Sequence, residues 1–243
     1  MATVAKHYED HLGHFYAWMV GDIDAALSRS TAELAALELP AAAGGIAVDL
    51  GAGIGLHSIP LAQAGYAVTA IDSSALLLAT LRERAASLPI TTVCGDLLEM
   101  EQHMNAPADV ILCMGDTLTH LPDKAAVETL VAAVERSLKA GGRFVTTFRD
   151  YASAPLAGDR RFIPVRSDPQ RILTCFLEYA EHTVTVHDLL HEAKDGRWQQ
   201  RISSYAKLRL APEWVASTLT TRGLTLGRGI GPNGMTCLVA RKI

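Results

Sequence analysis

The residues best placed to do chemistry lie in Val48-Asp49-Leu50-Gly51-Ala52-Gly53-Ile54-Gly55-Leu56-His57. An apolar run over residues 46–50 precedes the glycines, and 58–64 reads as the helix that follows. Glycine tolerates positive φ and lets a ligand approach the backbone closely. The free N–H groups at a helix start favour polar or anionic atoms. Asp72 closes the next apolar run, 66–71. An acid at a strand end about 20 residues past such a turn can accept hydrogen bonds from ribose hydroxyls. Turn, spacing and acid together predict a small-molecule site carrying a ribose rather than a bare glycine-rich turn. A dinucleotide-binding G-x-G-x-x-G would need its third glycine at position 56, where Leu56 stands, so a nicotinamide dehydrogenase is disfavoured.

Further polar clusters follow other apolar runs. Cys94-Gly95-Asp96-Leu97 ends the third, and an Asp there is either a turn former or an acceptor for a ligand amine. Met114-Gly115-Asp116-Thr117-Leu118-Thr119-His120-Leu121-Pro122-Asp123 follows the fourth, and Arg149-Asp150-Tyr151 the fifth. A guanidinium such as that of Arg149 makes a planar two-pronged clamp for a carboxylate; its alternative partner is a local acid, Asp150 or Asp116.

The D-x-G-x-G-x-G run from Asp49 resembles motif I of the class I S-adenosylmethionine (SAM) methyltransferases. The stretches around 114–123 and 141–151 are similar to those of the glycine N-methyltransferase branch, which run close to G-N-S-F-A-H-L-P-D and H-R-N-Y-D. Gly115, His120, Leu121, Pro122, Asp123, Arg149 and Tyr151 match, whereas Asp116 and Asp150 replace Asn. The resemblance to the general fold covers roughly 45–150 and the final hairpin. It implies SAM as cofactor and S-adenosylhomocysteine as product. The cofactor would contact Asp49, Gly51, Ala52 and Gly53 at its methionine end and Asp72 and Ser73 at its ribose. Asp96 and Leu97 would meet its adenine, with Met114 and Gly115 alongside. In that branch the Arg binds the carboxylate of an amino-acid acceptor, which carries over to Arg149. A carboxylate at Asp116 instead prefers a cationic or hydroxyl-bearing acceptor. Tyr8, Tyr16 and Tyr151 are candidate aromatic walls, with simple packing as the alternative for Tyr8, Tyr16 and Trp18. Asp116 and His120 are the candidates for orienting the acceptor proton; His120 is read first as a structural hydrogen-bonder near the cofactor carboxylate, and only second as a base.

These residues need a scaffold. Helices are expected over 3–20 and from Asp22 to about 37, forming an N-terminal cap over 1–40, with the main domain over 41–243. Within it come strand 46–50, helix 55–64, strand 66–72, helix 75–87, strands 90–94 and 109–114, helix 122–139 and strand 142–148, with Gly141-Gly142 as the helix stop. This is a doubly wound α/β pattern, whose ligands bind at the carboxyl ends of the strands. Residues 152–169 read as a loop, and 152–210 as a β-rich insertion, with antiparallel strands over 160–210 and a hairpin signal at Asp195-Gly196. A helix from 212 and a closing hairpin over 225–241 complete the chain. The family topology adds a seven-stranded sheet of order 3-2-1-4-5-7-6, the last strand antiparallel.

With 243 residues, 49% apolar content and a net charge of −4, one large domain with an ample core is expected. There is no dense basic stripe with interleaved aromatics, so nucleic acid is not an expected partner. No apolar run reaches the roughly 20 residues of a membrane span, and no signal peptide is read at the N-terminus. Four cysteines stand singly and nine histidines form no ligand spacing, so reduced thiols, no metal and a cytoplasmic location are expected. The favoured activity is N-methylation of a small amine, amino-acid-like in type. The alternatives are O-methylation of a small hydroxylated metabolite and a non-catalytic SAM-binding module. The 160–210 strands either lid the site or pair two subunits as a homodimer.

Overall fold

The computed structural model describes residues 3–243; residues 1 and 2 of the expected cap lie outside them. The cap comprises α1 (Val4–Asp10), a 3-10 turn (Leu12–Phe15), α2 (Tyr16–Val20) and α3 (Ile23–Ala36). The single helix expected over 3–20 is broken at His11, which leaves the helical region at φ −134° and ψ −78°. In a continuous helix Leu12 would lie about 140° around from His7. The break turns both toward the same partner: His7 bonds Asp188 and Ser203, and Leu12 and Phe15 pack with Leu173 and Leu190. Asp22 caps α3, its Oδ1 accepting the Ala25 N–H at 3.0 Å.

Next come β1 (Ile46–Leu50), α4 (Ser58–Gln63), β2 (Ala67–Asp72), α5 (Ala75–Ala85) and β3 (Ile90–Cys94). A 3-10 segment (Leu97–His103), β4 (Ala108–Cys113), a second 3-10 turn (Thr117–His120), α6 (Lys124–Ser137) and β5 (Leu138–Phe148) follow. α4 begins at Ser58, as the residues after the glycines predict and three residues past the start of the wider 55–64 span, because residues 51–57 remain in turns around the glycines. Gly141-Gly142 does not stop α6. The helix ends at Ser137, β5 starts at Leu138, and the glycines sit where β5 loses register with β4 between Ala108 and Val110. A bulge and a helix stop ask for the same permissive residue.

The insertion contains β6 (Phe162–Ser167), β7 (Arg171–Tyr179), β8 (Thr183–Lys194) and β9 (Arg197–Leu208), an antiparallel four-stranded sheet in sequential order. β6 occupies part of the stretch expected as loop. It is exposed throughout and irregular around Pro164, as an edge strand that contains proline must be. Asp195 and Gly196 both take positive φ at the β8–β9 turn, as the tight hairpin requires. Then α7 (Pro212–Thr221), β10 (Thr225–Ile230) and β11 (Thr236–Arg241) close the chain.

The main sheet runs β3-β2-β1-β4-β5-β11-β10, which in strand-rank order is 3-2-1-4-5-7-6. β1 to β5 are parallel and β11 is antiparallel to β5, as the family topology implied. β1 and β4 hold its centre and bury nearly every residue, as parallel strands covered on both faces do.

Candidate functional site

A cavity of about 480 Å³ opens at the carboxyl ends of β1 to β4, within the usual range for a small-molecule site. Its floor is the turn after β1. Gly51 has φ +73°, and a Cβ there would collide with the Thr117 side chain; Gly53 has φ +56°, and a Cβ there would stand in open space. The backbone at Gly53 is therefore left bare. Ala52 and Ile54 complete this floor.

Asp72 lines the wall at the tip of β2. Its Oδ2 accepts the Gly53 N–H at 2.7 Å and its Oδ1 the Ser74 N–H at 2.8 Å, which ties the turn to the second strand. Burial pushes its carboxyl above the usual range, while those two N–H groups oppose the shift. A carboxylate has about four lone-pair sites, so acceptor capacity remains. Ser73 stands beside it. Asp96 and Leu97 line the cavity at the tip of β3, and Asp96 Oδ1 also accepts the Leu98 N–H at 2.9 Å. Turn-forming and wall-forming readings thus hold together at that residue. Met114, Gly115, Thr117 and His120 form the opposite wall, and Tyr8 and Tyr16 of the cap close it.

The remaining candidates lie elsewhere. Asp49 is buried and accepts the Ser58 hydroxyl at 2.6 Å; it fixes the start of α4 and does not line the cavity. Asp116 is 4% exposed and its carboxylate is spent internally. Oδ1 accepts the Arg149 N–H at 2.9 Å, and Oδ2 takes the Tyr151 hydroxyl at 3.1 Å and the Lys207 ammonium at 2.5 Å. Burial pushes its carboxyl up, but the Lys207 ammonium and the Arg149 N–H together leave it below its usual range. The expected pull on a cationic or hydroxyl-bearing acceptor is satisfied by Lys207 and Tyr151. Tyr151 is buried against β7 to β9 rather than in the cavity wall, and burial pushes its phenol up to about 12. Arg149 is exposed and outside the cavity, the first residue past the end of β5. Trp18 packs on the insertion, donating to Asp168 at 2.6 Å.

His120 differs from these. Its imidazole sits 6.0 Å from the Tyr8 ring and 5.7 Å from the Tyr205 ring, centroid to centroid. Its Nε2 is inaccessible and has no hydrogen-bond partner. Burial, reinforced by the Lys207 charge, pushes its pKa down to about 3, so it is a neutral imidazole at any ordinary pH.

Lys207, Asp188, Tyr205 and His7 were not singled out from the sequence. His7 is fully buried and stacks on Tyr205 at 4.2 Å. Its Nδ1 lies 2.8 Å from Ser203 Oγ and its Nε2 3.0 Å from Asp188 Oδ2, while the Cys175 thiol donates to Asp188 Oδ1 at 2.9 Å. This pins α1 to the insertion. The signal available was inward-facing polar residues on alternating strands.

Residues 47–142 match the model of a methyltransferase domain. A glycine/sarcosine N-methyltransferase from Aphanothece halophytica is 29% identical over 106 residues, 43% of this chain and 40% of that protein. A ubiquinone biosynthesis O-methyltransferase from Xylella fastidiosa is 38% identical over 103 residues, 41% and 40% respectively. The matches thus span about 40% of the length of these curated relatives. Among solved structures, a S-adenosylmethionine-dependent methyltransferase from Clostridium acetobutylicum superposes with a TM-score of 0.75 at 16% identity, covering 94% of this chain and 98% of that one. Among the described residues, no group of three or more His, Cys, Asp or Glu is placed to hold a metal ion, and no helix is long and apolar enough to cross a membrane.

Proposed function

We propose that this chain, which carries a class I, SAM-dependent methyltransferase domain, moves the methyl group of SAM to the nitrogen of a small-molecule amine. The cavity fits that cofactor on three counts. The bare backbone at Gly53 leaves room for its amino-acid end. Asp72 keeps acceptor capacity for the ribose hydroxyls. Asp96 and Leu97 stand at the next strand tip for the adenine. When bound, SAM supplies a methyl group already activated by a sulfonium.

The observation that carries the choice of nitrogen is His120. An imidazole held near pKa 3 is a poor base, and a neutral hydroxyl needs a base as it attacks. A neutral amine does not. Its lone pair forms the new N–C bond as the methyl–sulfur bond breaks toward sulfur, and the product ammonium then releases a proton to water. The chain's part is placement, worth on the order of 7–11 kcal/mol in favourable cases. Tyr8, Tyr16 and His120 form the wall against which the acceptor is held. Among the described residues, the carboxylates lining the cavity are Asp72 and Asp96, and Arg149 lies outside it. The lining therefore favours an amine without a carboxylate over an amino acid.

Transfer to oxygen is the second reading, and the 38% identical relative favours it. A radiolabelled methyl-transfer screen over amines, amino acids and phenols separates the two. Label on amines is the expected result. Label on phenols alone overturns the nitrogen assignment, and SAM and S-adenosylhomocysteine binding without turnover on any acceptor overturns catalysis altogether.

A further inference from the structure

Lys207 is a buried ammonium that the methyl-transfer reading does not use. It lies on β9, in the insertion, and is 9% exposed. Its Nζ meets Asp116 Oδ2 at 2.5 Å and stands 5.9 Å from the Tyr151 ring and 5.7 Å from the Tyr205 ring. Asp116 is the hub of the wall loop. It takes a left-handed conformation, φ +77° and ψ +6°, uncommon outside glycine, though Asp is among the residues that adopt it most readily. Its N–H donates to the Thr147 carbonyl at 3.0 Å. Its own carbonyl accepts the Thr119 N–H at 3.1 Å and the Thr119 hydroxyl at 2.7 Å. Those two bonds close the 3-10 turn that ends at His120.

We propose that Lys207 is a positioning residue for methyl transfer: through Asp116 it fixes the turn that presents His120 to the acceptor, and its ammonium excludes a second positive charge from that imidazole. The proposal rests on the methyltransferase reading for its kinetic consequence; for its electrostatic one it rests on the Lys207 Nζ and the His120 ring each standing 5.7 Å from the Tyr205 ring centroid. The groups around His120 are consistent with it. Tyr8 faces it from α1 and Tyr205 from β9. The charges acting on it are Lys207 and His7, which oppose its protonation, and Asp116, which favours it. Asp116 faces three donors of its own, so its pull on His120 is largely answered. A cation in this place costs desolvation, which the paired carboxylate and the two aromatic faces offset.

The test follows His120 by pH titration of its imidazole resonances in the full chain, alongside methyl-transfer kinetics. Lys207→Met leaves Asp116 charged and unpaired, so the His120 pKa is expected to rise by at least one unit. The double variant Asp116→Asn/Lys207→Met leaves no unpaired charge and keeps the fold accessible if the single variant unfolds; it too should raise the His120 pKa. Lys207→Arg keeps the cation and should restore wild-type titration. In kinetics, Lys207→Met should lower kcat at least tenfold, with KM for SAM within twofold, and should add an acidic limb to the pH–rate profile that Lys207→Arg lacks. An unshifted His120 resonance in both Met variants overturns the electrostatic role. Equal loss of kcat in Lys207→Arg and Lys207→Met, with unchanged pH profiles, overturns the positioning role. If His120 shifts as expected while no acceptor is methylated by the wild type, the methyltransferase reading fails and the electrostatic coupling stands.

Discussion

The His7–Asp188 contact joins the cap to the insertion, and its removal can be put in numbers. Asp188→Ala deletes the acceptor of two buried bonds, from the His7 ring at 3.0 Å and the Cys175 thiol at 2.9 Å. The His7 and Asp188 side chains are 0% and 3% exposed, so water does not replace the lost partner in the intact fold. Breaking a buried pair of this kind costs about 3–5 kcal/mol, a large share of the roughly 5–15 kcal/mol that holds a typical domain. For a chain of this size that is a fall in Tm of about 6–20 °C. The contribution also has a pH window. Burial raises the Asp188 carboxyl, but the bonds from His7 and Cys175 outweigh it and leave its folded pKa below the ordinary value. Stability from a depressed carboxylate is full above the unfolded pKa of about 3.9 and is lost as pH falls through the folded pKa. Urea melts of wild type and Asp188→Asn should therefore differ by the same margin at pH 7 and pH 5, with the gap starting to close only as pH falls below about 4. Hydrogen exchange should show residues 4–10 opening first in Asp188→Ala, because α1 is the short element the bond retains. A loss under 1 kcal/mol, or a gap that closes between pH 7 and pH 5, would refute the reasoning.

Other outcomes are equally open to measurement. Asp72→Ala should weaken SAM binding about 10–100-fold by calorimetry, taking the loss of one charged hydrogen bond at about 1.5–3 kcal/mol; circular dichroism should be unchanged, and unaltered affinity would remove Asp72 from the site. Gly53→Ala should cost about 1–2 kcal/mol of stability from its positive φ and lower SAM affinity at least tenfold by filling the cradle; wild-type affinity would show that the turn does not touch the cofactor. Arg149→Ala should leave KM for SAM and for the amine within twofold, since its side chain points to solvent; a large rise for one acceptor alone would return it to the site. The outer face of the four-stranded sheet exposes Phe162, Trp198 and Ile202 by 51–57%. If two copies pair through that face, light scattering will give a dimer for wild type and a monomer for Ile202→Lys.

The cofactor end of the site was legible because its determinants are local. The Gly51–Gly55 turn, Asp72 and Asp96 each follow directly on a buried strand, and strand ends in a doubly wound sheet converge whatever the loops do. The sheet order came from the family resemblance; the alternation alone gave only a doubly wound class. The acceptor end was not legible, because its determinants are remote. Lys207 lies 91 residues from Asp116 and reads in sequence as one more polar residue on an alternating strand. His7 reaches Asp188 across 181 residues, through a helix break at His11 that a periodic apolar pattern conceals. Arg149 was placed by motif matching alone; β5 is buried on both faces up to Phe148, so nothing in its pattern told which way the next side chain would turn. Asp116 was read as free to face a ligand, since nothing nearby in the chain shows the ammonium that claims it.

The contact between Thr117 and Gly51 has a thermodynamic consequence. The hydroxyl-bearing side chain occupies the space a methyl at Gly51 would need, so the floor beneath one ligand abuts the wall beside the other. Movement of either is felt by its neighbour, and any coupling free energy so created acts equally in both directions. Whatever factor SAM lends to acceptor affinity, the acceptor must return to SAM, and replacing Thr117 with Gly should diminish both by the same ratio.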